Sequence, residues 1–165
     1  AAKTIVLEST GFEPNTLVMG QKVVDGLSDH PDVVDRVKYG QTAGGPAIIE
    51  LSELIALFKV ERIFVMKSIV NTAAQGATNV HSFIGGRHAL LVYSAPSPGL
   101  MTPTGGYTFS WTGYLGAQAQ GQRIKRFRME HLESDRVEID MAFDQKLISA
   151  DLGFFFEDIV IATTV

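Results

Sequence analysis

The chain has 165 residues, of which 45% are hydrophobic and 19% are charged, and its formal net charge is −4. This length suits one compact domain or two small lobes. The negative net charge argues against a protein whose main function is to bind nucleic acid. The absence of cysteine excludes disulfides, thiolate zinc sites and cysteine nucleophiles. The longest apolar runs are too short to span a bilayer, so no membrane partner is expected.

The first forty residues predict short elements separated by turns. Residues 3–8, KTIVLE, form a β-branched run that predicts a strand. Residues 17–27, LVMGQKVVDGL, are typical of a strand end that leads into a helix. A proline at the first helical position, an aspartate in the first turn and a glycine as the stop predict a helix over residues 31–39.

The middle of the chain alternates between apolar runs and loops rich in glycine or proline. Helical spacing predicts a second helix with one apolar face, made of Leu51, Leu54, Ile55 and Phe58. The predicted buried strands are residues 60–68 and 88–94. The predicted loops are residues 41–47, 69–88 and 95–106.

The last third favours long strands. Residues 107–111 and 122–129 predict strands, and residues 136–144, RVEIDMAFD, alternate strictly between apolar and other side chains. The side chains predicted to share one face are Val137, Ile139, Met141 and Phe143. Phe154–Phe156 then form the most hydrophobic run near the end of the chain. The whole pattern predicts the α+β class, with an extended sheet in the last third.

Two groups of polar residues are candidates for metal binding or catalysis. His81 and His88 have no further ligand at short spacing, so we expect exposed loop histidines rather than a zinc site. The second group is Glu130, His131, Glu133 and Asp135. Carboxylates beside a histidine can bind a metal or perform acid–base chemistry, but a polar turn between two strands explains the same residues and is the favoured interpretation.

The one basic run is residues 123–128, RIKRFR. One interpretation is that this run contacts phosphate backbones. The other is that it is a charged strand, which either protects a sheet edge or pairs with the acidic ESD that follows. The acidic composition of the chain favours the charged strand. We predict that Trp111 is a packing anchor. Neither a Gly-x-Ser-x-Gly pattern nor a nucleotide-binding glycine loop occurs, so we assign no catalytic, cofactor-binding or metal-binding residue and expect no cofactor.

Two stretches of the chain show a family resemblance. The first is residues 11–40, which contain the turn–strand–helix entry PNTLVMG, followed by residues 54–65. The second is residues 136–160, which contain the element DQKLISADLGFFF, residues 144–156. Together they resemble the major capsid proteins of tailed bacteriophages, which have the Hong Kong 97-type fold that encapsulin shells share.

The resemblance implies a division into domains. Residues 1–10 would be a junction strand from the peripheral domain, and residues 11–115 would form the axial domain, a central sheet flanked by helices whose loops meet around the capsomer axis. Residues 116–165 would return to the peripheral domain, with residues 136–150 as a long strand beneath the spine helix and Phe154–Phe156 at that seam or against a neighbouring subunit. The family's N-terminal arm, extended loop and spine helix do not precede Ala1. We therefore expect a C-terminal portion that alone is a monomer or small oligomer.

The resemblance also implies the function, which is that of a non-enzymatic capsid subunit that self-assembles into an icosahedral shell around DNA. Expected partners are identical subunits in pentamers and hexamers, a scaffolding protein, a maturation protease, a portal and non-specifically packaged DNA. The expected location is the virion, assembled in the bacterial cytoplasm. The alternatives are an encapsulin-like compartment, a phage tail or adaptor component, and a small hydrolase that uses Glu130, His131 and Asp135.

Overall fold

The structure, a computed structural model, describes residues 1–40, 49–111, 113 and 122–160. It divides into two compact units, which are unit 1 (Ala1–Gly105 with Ser149–Val165) and unit 2 (Gly106–Ile148). The predicted mixture of helices and strands is confirmed. The predicted loop 41–47 and the predicted domain boundary at 115/116 lie outside the described residues.

Unit 1 contains four helices and six strands among its described residues. The helices are α1 Ala2–Thr10, α2 Gln21–Ser28, α3 Pro31–Gly40 and α4 Leu51–Phe58. The strands are β1 Thr16–Gly20, β2 Arg62–Met66, β3 Ile69–Asn71, β4 His81–Phe83, β5 Ala89–Val92 and β10 Gly153–Phe156. A short 3-10 helix, Ala150–Leu152, precedes β10.

The predicted junction strand at residues 1–10 is wrong, because α1 occupies this segment. Gly11 ends the helix in the left-handed conformation (φ 75°), and its N–H donates to the carbonyl of Leu7. The Thr10 hydroxyl also donates back to the carbonyl of Val6, whose side chain is buried. Burial of Val6 and the end cap thus outweigh the weak helix preference of the β-branched residues.

Two helices predicted from the sequence are confirmed. The helix predicted at residues 31–39 is α3, and the one predicted from helical apolar spacing is α4. A capping box begins α4, in which the side chains of Glu50 and Glu53 each accept a hydrogen bond from the other residue's backbone N–H. Lys59 ends this helix in the left-handed conformation, with φ 52°.

A four-stranded sheet with the order β10-β5-β1-β2 organises unit 1. β1 is parallel to β2 and antiparallel to β5, which is antiparallel to β10. Alternate residues of β1 and β5 point to one face, where Leu17, Met19, Ala89 and Leu91 form the core with Val23 of α2. The predicted strands at 60–68 and 88–94 are confirmed as β2 and β5, but their predicted burial is wrong, because β2 has no buried residue and Leu90 of β5 is exposed.

Residues 116–165, expected to return together to the peripheral domain, do not stay together in one unit, because β10 completes the sheet of unit 1 while the strands before Ser149 belong to unit 2. Phe154 and Phe156 pack against the core of unit 1, with ring centroids 4.9 Å apart, while Phe155 points to the opposite face and is exposed. Two of the three phenylalanines therefore stabilise unit 1, and their burial does not require a spine helix.

The loop predicted at residues 69–88 is not wholly irregular, because it contains the antiparallel hairpin β3–β4. The side-chain oxygen of Asn71 accepts hydrogen bonds from the backbone N–H groups of Ala73 and Val80, which fixes the turn. The segment at residues 95–104, by contrast, contains no strand, as predicted.

Unit 2 contains two separate antiparallel ribbons in its described residues. Its strands are β6 Gly106–Ser110, β7 Gln122–Met129, β8 Ser134–Met141 and β9 Phe143–Leu147. β6 pairs with β9 and β7 pairs with β8. The single strand predicted at residues 136–144 is wrong at its end, because Ala142 separates β8 from β9 and the two strands have different partners.

Candidate interaction surfaces

The β7–β8 ribbon has one charged face. Arg123 and Lys125 of β7 lie opposite Asp140 and Glu138 of β8. The guanidinium of Arg123 donates to Asp140 Oδ2 at 2.9 Å, and the Lys125 ammonium lies 3.6 Å from the same oxygen. These cations, led by the Arg123 hydrogen bond, hold the pKa of Asp140 below its ordinary value of 3.8. The strand pairing therefore aligns opposite charges across this face.

The basic run of β7 pairs with the acidic residue that follows it, as favoured from the sequence. Arg126 Nη2 lies 3.1 Å from Asp135 Oδ2, and Arg128 Nη1 lies 3.5 Å from Asp135 Oδ1. Together with the ion pairs at Asp140, all four cations of RIKRFR have a carboxylate partner. The four cations share two carboxylates, Asp140 and Asp135, so about half of the charge of the run is balanced within its own ribbon.

Three of the four predicted acid–base candidates lie on the turn that joins β7 to β8, and the fourth, Asp135, belongs to β8. Glu130 and His131 belong to the 3-10 helix Glu130–Leu132, and Glu133 adopts the left-handed conformation with φ 46°. All three are exposed, and Asp135 is engaged by two arginines. The structure thus places Glu130, His131 and Glu133 on an exposed polar turn between two strands, which is the arrangement favoured from the sequence. Among the described residues, no group of three or more His, Cys, Asp or Glu side chains could hold a metal ion.

The opposite face of the same ribbon carries Gln122, Arg126, Arg128 and Asp135 together with four apolar side chains, and we name these four the ribbon face. Ile124 pairs directly with Ile139, and Gln122 pairs with Met141. The members of the ribbon face are Ile124, Val137, Ile139 and Met141. Each is between 58% and 71% exposed, so this is a contiguous apolar patch and not a scatter of single residues. Phe143, predicted to share this face, is also exposed but belongs to the other ribbon.

The two histidines of the glycine-rich segment are in different environments. His81 lies on β4 and is exposed. The Nδ1 atom of His88 accepts a hydrogen bond from the Asp158 N–H at 3.2 Å, and its ring stacks on Phe155 with 5.6 Å between centroids. Arg87 also pairs with the Asp158 carboxylate at 3.2 Å. His88 thus fastens the segment after β10 to the start of β5.

The exposed face of the unit 1 sheet bears a feature that the sequence analysis missed, which we name the apolar row. Register places Phe155 of β10, Leu90 of β5, Val18 of β1 and Phe64 of β2 side by side across the sheet. Phe64 is 53% exposed and Phe155 is 59% exposed. The four residues are far apart in the chain, so only strand order and register bring them together.

Two further surfaces complete the described molecule. Trp111, predicted to be a packing anchor, is instead exposed and lines a shallow depression of unit 2 with Phe109 and Phe143. In unit 1, an open apolar pocket of about 350 Å³ lies beside Leu17 and Phe156 on the core side of the sheet. Within the described part of the chain, no helix has the length and apolarity needed to cross a membrane.

No family model matches the chain. Its sequence is 29% identical over 159 residues to the major capsid protein of Pseudomonas phage JBD67, a match that covers 96% of this chain and 50% of that protein. A solved structure of a phage-related protein from Bordetella bronchiseptica RB50 has a TM-score of 0.76 and 26% identity, covering 94% of this chain and 48% of the other. The chain thus spans about half the length of both proteins. The resemblance predicted from its sequence is confirmed.

Proposed function

We propose that this chain, a relative of phage major capsid proteins, is part of the head subunit of a tailed phage or prophage that self-assembles into an icosahedral shell around DNA. The observation that carries the proposal is the similarity to a major capsid protein along 96% of the chain. The exposed apolar surfaces in both units support it, because contiguous apolar patches of this kind mark protein–protein interfaces.

We further propose the Hong Kong 97-type fold. Unit 1, with helices packed on its four-stranded sheet, would be the axial domain, and unit 2, with its two ribbons, would be the peripheral domain. This assignment moves residues 149–160 from the predicted peripheral domain to the axial domain, because β10 pairs with β5. The β3–β4 hairpin and the segment 95–104 are the described candidates for loops near the capsomer axis.

The ribbon face is proposed to lie beneath the spine helix that Hong Kong 97-type proteins have. An amphipathic helix needs an apolar surface to cover its own apolar stripe, and Ile124 and Ile139 form the centre of such a surface. The ion pairs of the charged face suit an orientation in which that face stays in contact with water.

The proposed partners are identical subunits in pentamers and hexamers, with a scaffolding protein, a maturation protease and a portal in the assembly pathway. Repeated contacts between identical subunits form closed shells without any active site. DNA would be enclosed without sequence-specific contact, and two carboxylates of the same ribbon already engage the four cations of the basic run. The proposed location is the virion, after assembly in the bacterial cytoplasm.

The alternatives receive less support. An encapsulin-like compartment shares the proposed fold and differs in its cargo, whereas a tail or adaptor component would form rings or tubes. The hydrolase would need Glu130, His131 and Asp135 to converge in a concave pocket. Glu130 and His131 instead lie on an exposed turn, and Asp135 lies on β8 and pairs with two arginines.

The test is negative-stain electron microscopy of the product of the complete reading frame, expressed with its scaffolding protein and protease. Closed particles of uniform diameter are expected, and DNA or protein found inside them distinguishes a virus from a compartment. A product that stays monomeric under these conditions contradicts the proposal.

A second test concerns the ribbon face. Ile139→Asn in the complete product should prevent or weaken particle formation, because it places an amide at the centre of the covered surface. Glu138→Gln, on the charged face of the same strand, is the matched control and should allow particles. Normal particles from the Ile139 variant would mean that the ribbon face is not covered in the assembly.

A further inference from the structure

The apolar row has the shape of a shallow trough. Phe64 and Phe155 lie on the two edge strands of the sheet, with the shorter side chains of Val18 and Leu90 between them. Three strand spacings of about 4.8 Å separate the backbones of the two edge strands by about 14 Å. His88 stacks on Phe155 and holds that side of the trough in place.

The segment 94–104 of the same unit exposes two large apolar side chains to solvent. Leu100 is 106% exposed and Met101 is 91% exposed, the two highest values among the large apolar side chains of the described residues. We name this pair the apolar tip. A side chain with full exposure has no packing partner in its own chain, so the tip does not fold back onto its own row.

The base of the tip is anchored, which lowers the entropy cost of binding through it. The N–H of Gly105 and the hydroxyl of Thr104 both donate to the carbonyl of Tyr93, at 3.0 and 3.4 Å, and Thr104 is buried. The side chain of Asn15 forms two hydrogen bonds with the backbone of Ser94, each 2.9 Å long. Three prolines in the segment restrict the backbone further.

Charge indicates what the tip binds. Residues 94–106, SAPSPGLMTPTGG, contain no charged residue, and the four members of the row are all apolar. An uncharged apolar tip does not suit a nucleic-acid backbone, whereas depletion of charge and enrichment in Met and aromatic residues are typical of the centre of a protein interface. The row provides a surface of matching chemistry in every copy of the chain.

We propose that the apolar tip of one copy packs into the apolar row of a neighbouring copy, between Phe64 and Phe155. The contact is heterologous, because the tip and the row are different surfaces of unit 1, and repeated heterologous contacts generate rings. The proposal rests on the proposed function, in which identical subunits form capsomers, and adds the surfaces through which they touch. A contact of two side chains is small and therefore weak in the isolated chain.

Disulfide trapping detects such a weak contact, and the chain has no native cysteine to interfere. A Leu100→Cys chain is mixed with a Phe64→Cys chain under mild oxidation, and the rate of heterodimer formation is measured by mass spectrometry. The control partner is Ile5→Cys on α1, because Ile5 is 51% exposed and Phe64 is 53% exposed. The reactivity of each thiol towards a small neutral alkylating reagent normalises the rates, and circular dichroism verifies folding.

We expect the Leu100–Phe64 pair to cross-link about tenfold faster than the Leu100–Ile5 pair, a preference of about 1.4 kcal/mol. Equal rates overturn the proposal. It is also overturned if Phe64→Cys forms homodimers faster than heterodimers, which would indicate isologous packing of row on row. A third contrary result combines two observations. The emission of a fluorophore attached to Leu100→Cys changes when zwitterionic lipid vesicles are added, and the rate of cross-linking to Phe64→Cys stays at the control rate.

The same cysteine pair in the complete product distinguishes failure of this inference from failure of the proposed function. Closed particles without the Leu100–Phe64 cross-link refute the tip-and-row contact and leave the capsid role intact. Absence of particles from the unmodified product contradicts the capsid role itself, whatever the isolated chains do.

Discussion

Asn15 joins three strands of the unit 1 sheet at one end, and its removal is expected to destabilise that unit. Its Nδ2 group donates to the carbonyl of Ser94, just after β5, and its Oδ1 atom accepts from the Ser94 N–H, both at 2.9 Å. The Asn15 carbonyl also accepts from the N–H groups of Glu61 and Arg62 at the start of β2. The residue itself immediately precedes β1.

Asn15→Ala should lower the free energy of unfolding of unit 1 by about 2–3 kcal/mol. The two bonds to Ser94 contribute about 1 kcal/mol each. The remainder comes from the partly buried N–H and carbonyl of Ser94, which lose their partner without gaining full access to water. The bonds made by the backbone of Asn15 are retained, so the sheet should still form.

Asn15→Asp keeps the size and the Oδ1 acceptor but should be at least as damaging at neutral pH. The Nδ2 donor becomes a carboxylate oxygen that faces the Ser94 carbonyl and lies near Glu61 Oε2, which accepts from Nδ2 at 3.3 Å. Like charges at this distance repel each other. Combining Asn15→Asp with Glu61→Gln should therefore recover part of the loss.

Urea unfolding followed by the helical circular dichroism signal measures the effect, because α1 to α4 all belong to unit 1. The matched control is Asn79→Ala, whose Oδ1 accepts one bond from Asn71 on the exposed hairpin. Its cost should be below about 0.5 kcal/mol, as for most surface substitutions. A similarly small cost for Asn15→Ala would show that the strands do not depend on this side chain.

Two further predictions concern close packing and pH. Gly20→Ala should cost more than about 2 kcal/mol, because a Cβ there would lie 2.5 and 2.7 Å from two backbone carbonyl oxygens of residues 85–86. Gly153→Ala, at the start of β10, is the control, because a Cβ there would lie no closer than 3.6 Å to any neighbour, so denaturation should place it within about 1 kcal/mol of the parent. Equal costs for the two variants would contradict the steric argument. The pKa of Asp140 is lowered in the folded chain, so its ion pairs stabilise the ribbon above pH 3.8, and this contribution is lost as the pH falls through the folded value. Carboxyl NMR titration should give a midpoint below 3.8 that rises in Arg123→Gln; an unchanged midpoint would assign the shift to other groups.

The sequence predicts elements best where local chemistry determines them. The helices α3 and α4 are predicted correctly because the boundary residues and the apolar spacing that determine them lie close together in the sequence. The segment of α1 contains three consecutive apolar residues, Ile5 to Leu7, which fit neither a strand's alternation nor a helix's stripe. Its helical state depends on burial of Val6, and burial is decided by the rest of the fold.

The candidate surfaces divide in the same way. The ribbon face is predictable because strict alternation in one strand places Val137, Ile139 and Met141 on one side. The apolar row is not, because it takes one residue from each of four strands, and a shift of one residue in any pairing would move that strand's contribution to the other face.

The way in which the chain distributes its apolar side chains supports its proposed role as a building block. In unit 1, one face of the sheet is buried against helices, with Met19 and Val23 almost inaccessible, while the apolar row on the other face stays exposed. In unit 2, ion pairs lie on both sides of the β7–β8 ribbon, while the four apolar side chains of the ribbon face stay exposed. A chain that needed only to fold would gain stability by burying these faces or by placing polar residues on them. Both units retain them, which is expected if their burial takes place in the assembled shell.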